Sequence, residues 1–290
     1  MNHIFISKAN VRINVYRVIT LFVSVGFWII YSVWKKIQRI SGNQGSGTCV
    51  VLYYHGIANK QRRRFAQQLD DIIKFSEPVP ADIKMDLEDG SNYIAVTFDD
   101  AFVSIIENAL PELNRRNIPF TIFVPTQYIG LKPGWLNGDF RRQIDDVVIS
   151  VNQLKELNKN DLVCIGSHCV THRNLLSLNE KEAKREILES KYVLETILKK
   201  EVKTLSFPHG YFKNEHVEWA LQAGYERIFT ILPTLASFNK SEYLTGRILV
   251  HPTNWKLEFR LKILGAYRWV PLAVSLKRKL KSYFSSVYSS

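Results

Sequence analysis

Seven short runs of β-branched and aromatic residues, separated mostly by polar stretches with helical spacing, leave this chain few ways to fold. The runs are CVVLYY (49–54), YIAVTF (93–98), FTIFV (120–124), LVCIGS (162–167), TLSF (204–207), RIFTIL (227–232) and YLTGRILV (243–250). Residues 65–76, 102–116, 139–158, 179–200 and 214–223 read as helices between them. Asn179 stands where an N-cap belongs, with Glu182 three residues on, and Gly224 follows Ala223 as a helix terminator. The runs are apolar nearly throughout, so both faces of each strand must be covered, and strands that alternate with helices pair in parallel. The expected fold class is α/β, and about seven units favour a barrel over an open sheet. With 46% hydrophobic and 12% aromatic residues in 290, the chain has ample material for that core. In either architecture, chemistry belongs at the C-terminal ends of the strands.

The ends of the chain differ from this body. Residues 1–40 hold six bases and no acid, and residues 256–290 hold eight bases against Glu258, so ends of +6 and +7 leave −1 for 41–255 out of a net +12. A nucleic-acid binder carries its positive stripe on the folded body, so this distribution excludes nucleic acid as a partner and points to an anionic membrane surface. Residues 18–34 are free of charge, about 26 Å long as a helix, and bracketed by Arg17 and Lys35 with Trp28, Trp34, Tyr16 and Tyr31 as interfacial aromatics. We expect a single-pass, uncleaved signal anchor over 1–40, ahead of an extracytoplasmic domain. Lys8, Arg12 and Arg17 on one side balance Lys35, Lys36 and Arg39 on the other, so charge alone does not orient it. GNQGSG (42–47) makes an acceptable linker to a body over 41–254, and 255–290 is a basic amphipathic tail suited to a membrane interface. Cys49, Cys164 and Cys169 form neither a disulfide framework nor a CxxC zinc pair.

Four motifs fall at strand ends. Asp99 and Asp100 follow YIAVTF, where two adjacent carboxylates are costly to bury without a proton or a cation. His168 and His172 follow LVCIGS at i, i+4, a spacing that sets two imidazoles on one face of a helical turn. One carboxylate and two imidazoles make a three-ligand site with open positions, which means catalysis more than structure. One divalent metal ion is expected, zinc first, with cobalt, nickel or iron(II) suited by the same donors. In FPHG (207–210), Pro208 fixes φ so that the His209 amide can face the cavity as an oxyanion donor. His251 closes the last strand as a candidate acid for a leaving amine.

These pieces together resemble the polysaccharide deacetylases of carbohydrate esterase family 4, the NodB-homology group. The matching stretches are VTFDDAF (96–102), SHCVTH (167–172), FPHGYF (207–212) and ILVH (248–251), and LYYHGIA (52–58) is similar to the YHG opening of the envelope-biosynthesis branch. The resemblance covers about 49–252. It implies a distorted (β/α) barrel and metal-dependent hydrolysis of an N-acyl group, usually acetate, from an amino sugar, so the partner is an N-acylated glycan. It assigns Asp99 as general base, Asp100, His168 and His172 as metal ligands, the His209 amide as oxyanion donor and His251 as general acid. Three departures stand out. Ala101 replaces the Gly usual after the Asp pair, Ser206 stands where the family carries an Arg that holds the base, and the later Asp-Trp motif has no counterpart. Arg247 is offered both as a substitute for that Arg and, with His55 and Trp135, as a substrate-contacting residue. Two other readings remain open: a deformylase or other metallohydrolase on a lipid-linked sugar, and a glycan-binding protein that keeps the fold. No protein partner is implied.

Overall fold

The computed structural model describes residues 2–42, 47–84, 87–88, 90–136, 146–239 and 241–276. The middle of the expected linker (43–46), the start of the helix expected from 139 and the tail beyond 276 lie outside them. Among the described residues, nine strands form one parallel sheet: β1 (Thr48–Tyr54), β2 (Glu77–Pro78), β3 (Asn92–Phe98), β4 (Phe120–Val124), β5 (Val163–Ser167), β6 (Thr204–Ser206), β7 (Arg227–Phe229), β8 (Leu244–Thr245) and β9 (Ile248–Leu249). Their order is β8-β7-β6-β5-β4-β3-β1-β9, with β2 beside the first half of β3 and β4 beside its second half. β1 and β3 are in register throughout, from Thr48 opposite Asn92 to Tyr54 opposite Phe98.

The last expected strand, 243–250, is broken in two. β8 adds to β7 at one edge of the sheet and β9 adds to β1 at the other, with only Gly246 and Arg247 between them. One short segment therefore joins both edges, and the sheet curls into an incomplete barrel. A side chain at 246 has no room, since its Cβ would lie 2.0 Å from Thr234 Oγ1 and 2.2 Å from the Leu232 carbonyl oxygen.

Curling gives each strand two buried faces. Cys49, Val51, Tyr93, Ala95, Phe123 and Phe229 point into the curl, whereas Leu52, Tyr54, Val96, Phe98, Ile122 and Ile228 pack outward under the helices. The helices are α1 (Asn2–Ile40), α2 (Arg62–Phe75), α3 (Leu110–Arg115), α4 (Val151–Leu157), α5 (Glu180–Leu198), α6 (Asn214–Gln222) and α7 (Lys256–Ile263). α3 is entered through a π-helical turn, Ile105–Ala109. α5 starts on a capping box in which Asn179 Oδ1 accepts from the Glu182 amide at 2.9 Å.

α1 contains a stretch, Val15–Gln38, long and apolar enough to cross a membrane. One face of the helix lies on the C-terminal segment. Arg17 pairs with Glu258 of α7, Trp269 Nε1 donates to Ser24 Oγ at 3.0 Å, and the Arg268 guanidinium stacks 3.4 Å above the Tyr31 ring.

Candidate metal centre and active site

Every motif residue arrives at the C-terminal rim of the curl. Asp99 and Asp100 leave β3 and are both buried, at 4% and 5% exposure. The turn there is left-handed at Asp100 (φ 69°) and Ala101 (φ 50°). This explains why a Gly suits position 101, and a non-Gly residue costs about 1–2 kcal/mol in such a conformation.

His168 follows β5, and its Nδ1 lies 2.7 Å from the Ser206 carbonyl oxygen. That oxygen can only accept, so Nδ1 carries the proton and Nε2 turns its lone pair to the site. Burial lowers the His168 pKa to about 4 despite the nearby Asp99 and Asp100 carboxylates, so the ring is neutral at physiological pH. His172 does not sit on a helical turn. Cys169 (φ 61°) and His172 (φ 57°) are both left-handed, and residues 168–172 form a loop. The loop is pinned by the buried Glu186 of α5, whose Oε2 accepts from the Val170 and Thr171 amides at 2.9 and 2.8 Å. A carboxylate occupies the amides a helical turn would have used, and the two imidazoles still come within 4.8 Å, centroid to centroid. Glu186 was missed in the sequence; the signal was an acid on the apolar face of an amphipathic helix.

Asp100 Oδ1 lies 3.1 Å from His172 Nε2 and 3.8 Å from His168 Nε2, yet this buried atom has no aligned hydrogen-bond donor. The ligand atoms of the three residues fall within 4.8 Å of one another. A buried carboxylate oxygen without a donor, facing an imidazole lone pair, fits a divalent cation. Burial raises the Asp100 pKa, but His172, His55 and His168 outweigh it, leaving the carboxyl below its ordinary value.

Arg247, expected among the substrate-contacting residues, is out of reach of any substrate. It is 0% exposed, and its guanidinium grips Asp99 with both nitrogens, Nη1 to Oδ1 at 2.7 Å and Nη2 to Oδ2 at 2.8 Å. Nη2 also donates to Ser206 Oγ at 2.7 Å, Nη1 to Thr97 Oγ1 at 3.1 Å and Nε to the Thr230 carbonyl oxygen at 3.3 Å. Its cation lies 4.6 Å from the Tyr53 ring centroid and 5.3 Å from that of Phe123. Burial raises the Asp99 pKa, but Arg247 above all, with His168 and His55, brings it down to about 2.

The remaining residues ring this centre. Trp135, half-buried, stacks on the His172 ring at 4.4 Å and meets Tyr128 edge-on at 4.8 Å, so one of its faces is already taken. His209 is left-handed (φ 59°), and its exposed ring sits 4.8 Å from His172. His55 is exposed at the end of β1, close enough to influence Asp99, Asp100 and His251. His251 Nδ1 lies 2.7 Å from Thr253 Oγ1 and accepts from the Thr253 amide at 3.2 Å. Burial, then His55, Lys262 and Arg17, lowers its pKa.

The sequence model for polysaccharide deacetylases matches residues 86–228, about half of the chain. This match takes in Asp99, Asp100, His168, His172 and His209. The chain belongs to the polysaccharide deacetylase family. The poly-beta-1,6-N-acetyl-D-glucosamine N-deacetylase of Staphylococcus aureus (strain MRSA252) is 27% identical over 163 residues, covering 53% of each protein. The chain spans about half the length of the curated relatives it matches. IcaB from Ammonifex degensii shares its fold, with a TM-score of 0.62 at 24% identity over 77% of this chain and 98% of that one. So does the Streptococcus pyogenes deacetylase PplD, with a TM-score of 0.59 at 18% identity over 72% and 94%. Within this family the chain departs from the usual pattern at Ser206. There the small side chain leaves space that Arg247, from the broken last strand, fills with a guanidinium.

Proposed function

We propose that this polysaccharide deacetylase removes N-acetyl groups from an amino-sugar polymer of the cell envelope, with zinc at Asp100, His168 and His172. The convergence of those three buried ligands beside an ionised Asp99 is the observation that carries the reading. A divalent cation there supplies Lewis-acid polarisation of the acyl carbonyl and acidifies water, which a base as weak as Asp99 requires. Asp99, held in one orientation by Arg247, takes the proton from the attacking water. The His209 amide stabilises the developing oxyanion. Thr253 Oγ1, 2.7 Å from His251 Nδ1, can accept from that nitrogen in the imidazolium, so the Nε2 proton passes to the departing amine and a neutral ring is left behind. His55 contacts the sugar at the rim, and Trp135 keeps His172 in place. The case for a binding-only protein rests on the missing Arg at 206 and on the missing Asp-Trp motif, and Arg247 weakens the first of these grounds. The full chain is expected to release acetate from N-acetylglucosamine oligomers, to stop when a chelator strips the metal and to recover with Zn²⁺ or Co²⁺. Binding of oligomers with no release under any metal sinks the proposal.

We also propose that α1 holds the enzyme at a membrane, with the domain on the extracytoplasmic side. Val15, Ile19, Phe22, Ile29, Ile30, Val33 and Ile37 fall on one helical face and are 50–73% exposed. Arg17, Ser24 and Tyr31 occupy the opposite face, against the domain. A helix crossing between Val15 and Gln38 takes Arg17 across the bilayer from a domain that follows Ile40. A helix lying along the surface keeps those contacts and still buries the aliphatic stripe, and we read α1 in this second way. Phe22→Glu with Ile30→Glu is expected to lower partition onto anionic vesicles at least tenfold, because each apolar side chain contributes about 1.5–3 kcal/mol when buried. Acetate release from short soluble oligomers should not change. Unaltered partition refutes the stripe as the lipid-facing surface.

A further inference from the structure

Among the described residues no carboxylate holds the His251 ring, and the loop that carries it depends on a part of the chain far from the site. Its amide donates to Asn254 Oδ1 at 2.8 Å, and its carbonyl oxygen accepts from Gln68 Nε2 at 2.9 Å. Asn254 Nδ2 in turn donates to Glu258 Oε1 at 2.9 Å, and the Trp255 amide donates to Glu258 Oε2 at 3.2 Å. Glu258 is therefore the post on which the 251–255 loop is hung, and it is buried, at 5% exposure. Two cations hold the post. Lys262 Nζ lies 3.2 Å from Oε1 and also donates to the Leu249 carbonyl oxygen at 2.9 Å. Arg17, from α1, donates through Nε and Nη2 to Oε2, at 2.8 and 2.5 Å. Both reach the loop itself: Lys262 Nζ donates to Asn254 Oδ1 at 3.2 Å, while Arg17 Nη2 donates to the Thr253 carbonyl oxygen at 3.1 Å and its guanidinium stacks 4.2 Å from the centre of the Trp255 ring. One side chain thus touches the backbone of Thr253, the ring of Trp255 and the carboxylate that orders Asn254. Thr253 and Asn254 are the residues that set the His251 ring and backbone.

We propose that Arg17 is a positioning residue for His251, so that α1 is part of the acid side of the active site as well as an attachment to the membrane. The proposal rests on the reading of His251 as the proton donor given above. A planar fork can serve Glu258 and Thr253 together, whereas an ammonium group is a point charge. Arg17→Lys should therefore restore only part of what Arg17→Ala loses.

The test uses the full chain in anionic-lipid nanodiscs, comparing wild type, Arg17→Ala and Arg17→Lys. Hydrogen exchange over 250–256 is expected to accelerate tenfold or more in Arg17→Ala, with β3 and β5, which precede the metal ligands, exchanging as in wild type. Acetate release should show kcat down about tenfold, KM within twofold and zinc affinity unchanged, with Arg17→Lys between the two. Wild-type exchange and wild-type kcat in Arg17→Ala overturn the proposal. So does acceleration spread evenly over the domain, which marks Arg17 as a stabiliser only. If the wild-type protein itself releases no acetate, the deacetylase reading has failed, and the exchange measurement still decides whether Arg17 orders the loop.

Discussion

Arg247→Met is expected to lower stability by about 3–5 kcal/mol at neutral pH, the cost of leaving one partner of a buried ion pair uncompensated. Acetate release should fall by two orders of magnitude or more, within the range a positioned general base contributes. Asp99 is 4% exposed and its ionised form is held by Arg247 through two hydrogen bonds. Without the guanidinium only His168 and His55 oppose burial and the carboxyl pKa rises, so the base is both mispositioned and more readily protonated. The sign of the pH dependence follows. In the wild type the folded-state pKa, about 2, lies below that of the unfolded chain, so Asp99 contributes stability above about pH 4 that is lost as the pH falls through about 2. In Arg247→Met that contribution is reversed. Denaturant unfolding should therefore show the widest gap between the two proteins at neutral pH and a gap that narrows as the pH falls from the variant's raised Asp99 pKa toward 2, the unfolded-state pKa being common to both. The double variant Arg247→Met with Asp99→Asn should recover much of the stability and none of the activity, because neither member of the pair is left charged and alone. A single variant as stable as wild type refutes the account of Arg247 as the counterion that Asp99 requires.

The same arginine shows where sequence reading runs out. Strands buried on two faces are apolar throughout, so β1, β3, β4 and β5 emerged from the sequence within a residue of their ends. β2 did not, because Glu77 and Pro78 have no apolar signature and pair only along part of β3. The run from 243 to 250, apolar at both ends, reads as one strand and conceals the step at Gly246 and Arg247, since periodicity does not report which neighbour a strand pairs with. Arg247 in that run reads both as a substrate contact at the rim and as a substitute for the Arg missing at 206, and only the curl of the sheet shows it turned inward to Ser206 and Asp99. The His168 and His172 pair was legible as a pair and misleading as a helical turn. Its true support, Glu186, lies on another element. Contacts such as Arg17 with Glu258, 241 residues apart, leave no local trace in the sequence.

Asp100→Asn is the complementary perturbation, and its largest effect is expected in a measurement that needs no substrate. Zinc at about 100 times its Kd stabilises a folded protein by about 2.7 kcal/mol, because it binds the native state and not the unfolded one. For a chain of this size that corresponds to a rise in Tm of roughly 5–10 °C. In Asp100→Asn the carboxylate that joins the two imidazoles becomes a neutral amide. The rise should shrink below about 1 °C, and acetate release should fall to background. The metal-free variant should unfold somewhat earlier than metal-free wild type, because the neighbouring histidines hold the buried Asp100 carboxyl below its ordinary pKa and that contribution is lost with the charge. Arg247→Met should behave in the opposite way, with a low starting Tm and the zinc increment intact, because Arg247 contacts Asp99 and none of the three ligands. Crossing the two variants separates the cation's holder from the proton's holder among neighbouring carboxylates. A full zinc increment in Asp100→Asn would place the metal somewhere other than between β3 and β5, and the assignment of both aspartates would fall with it.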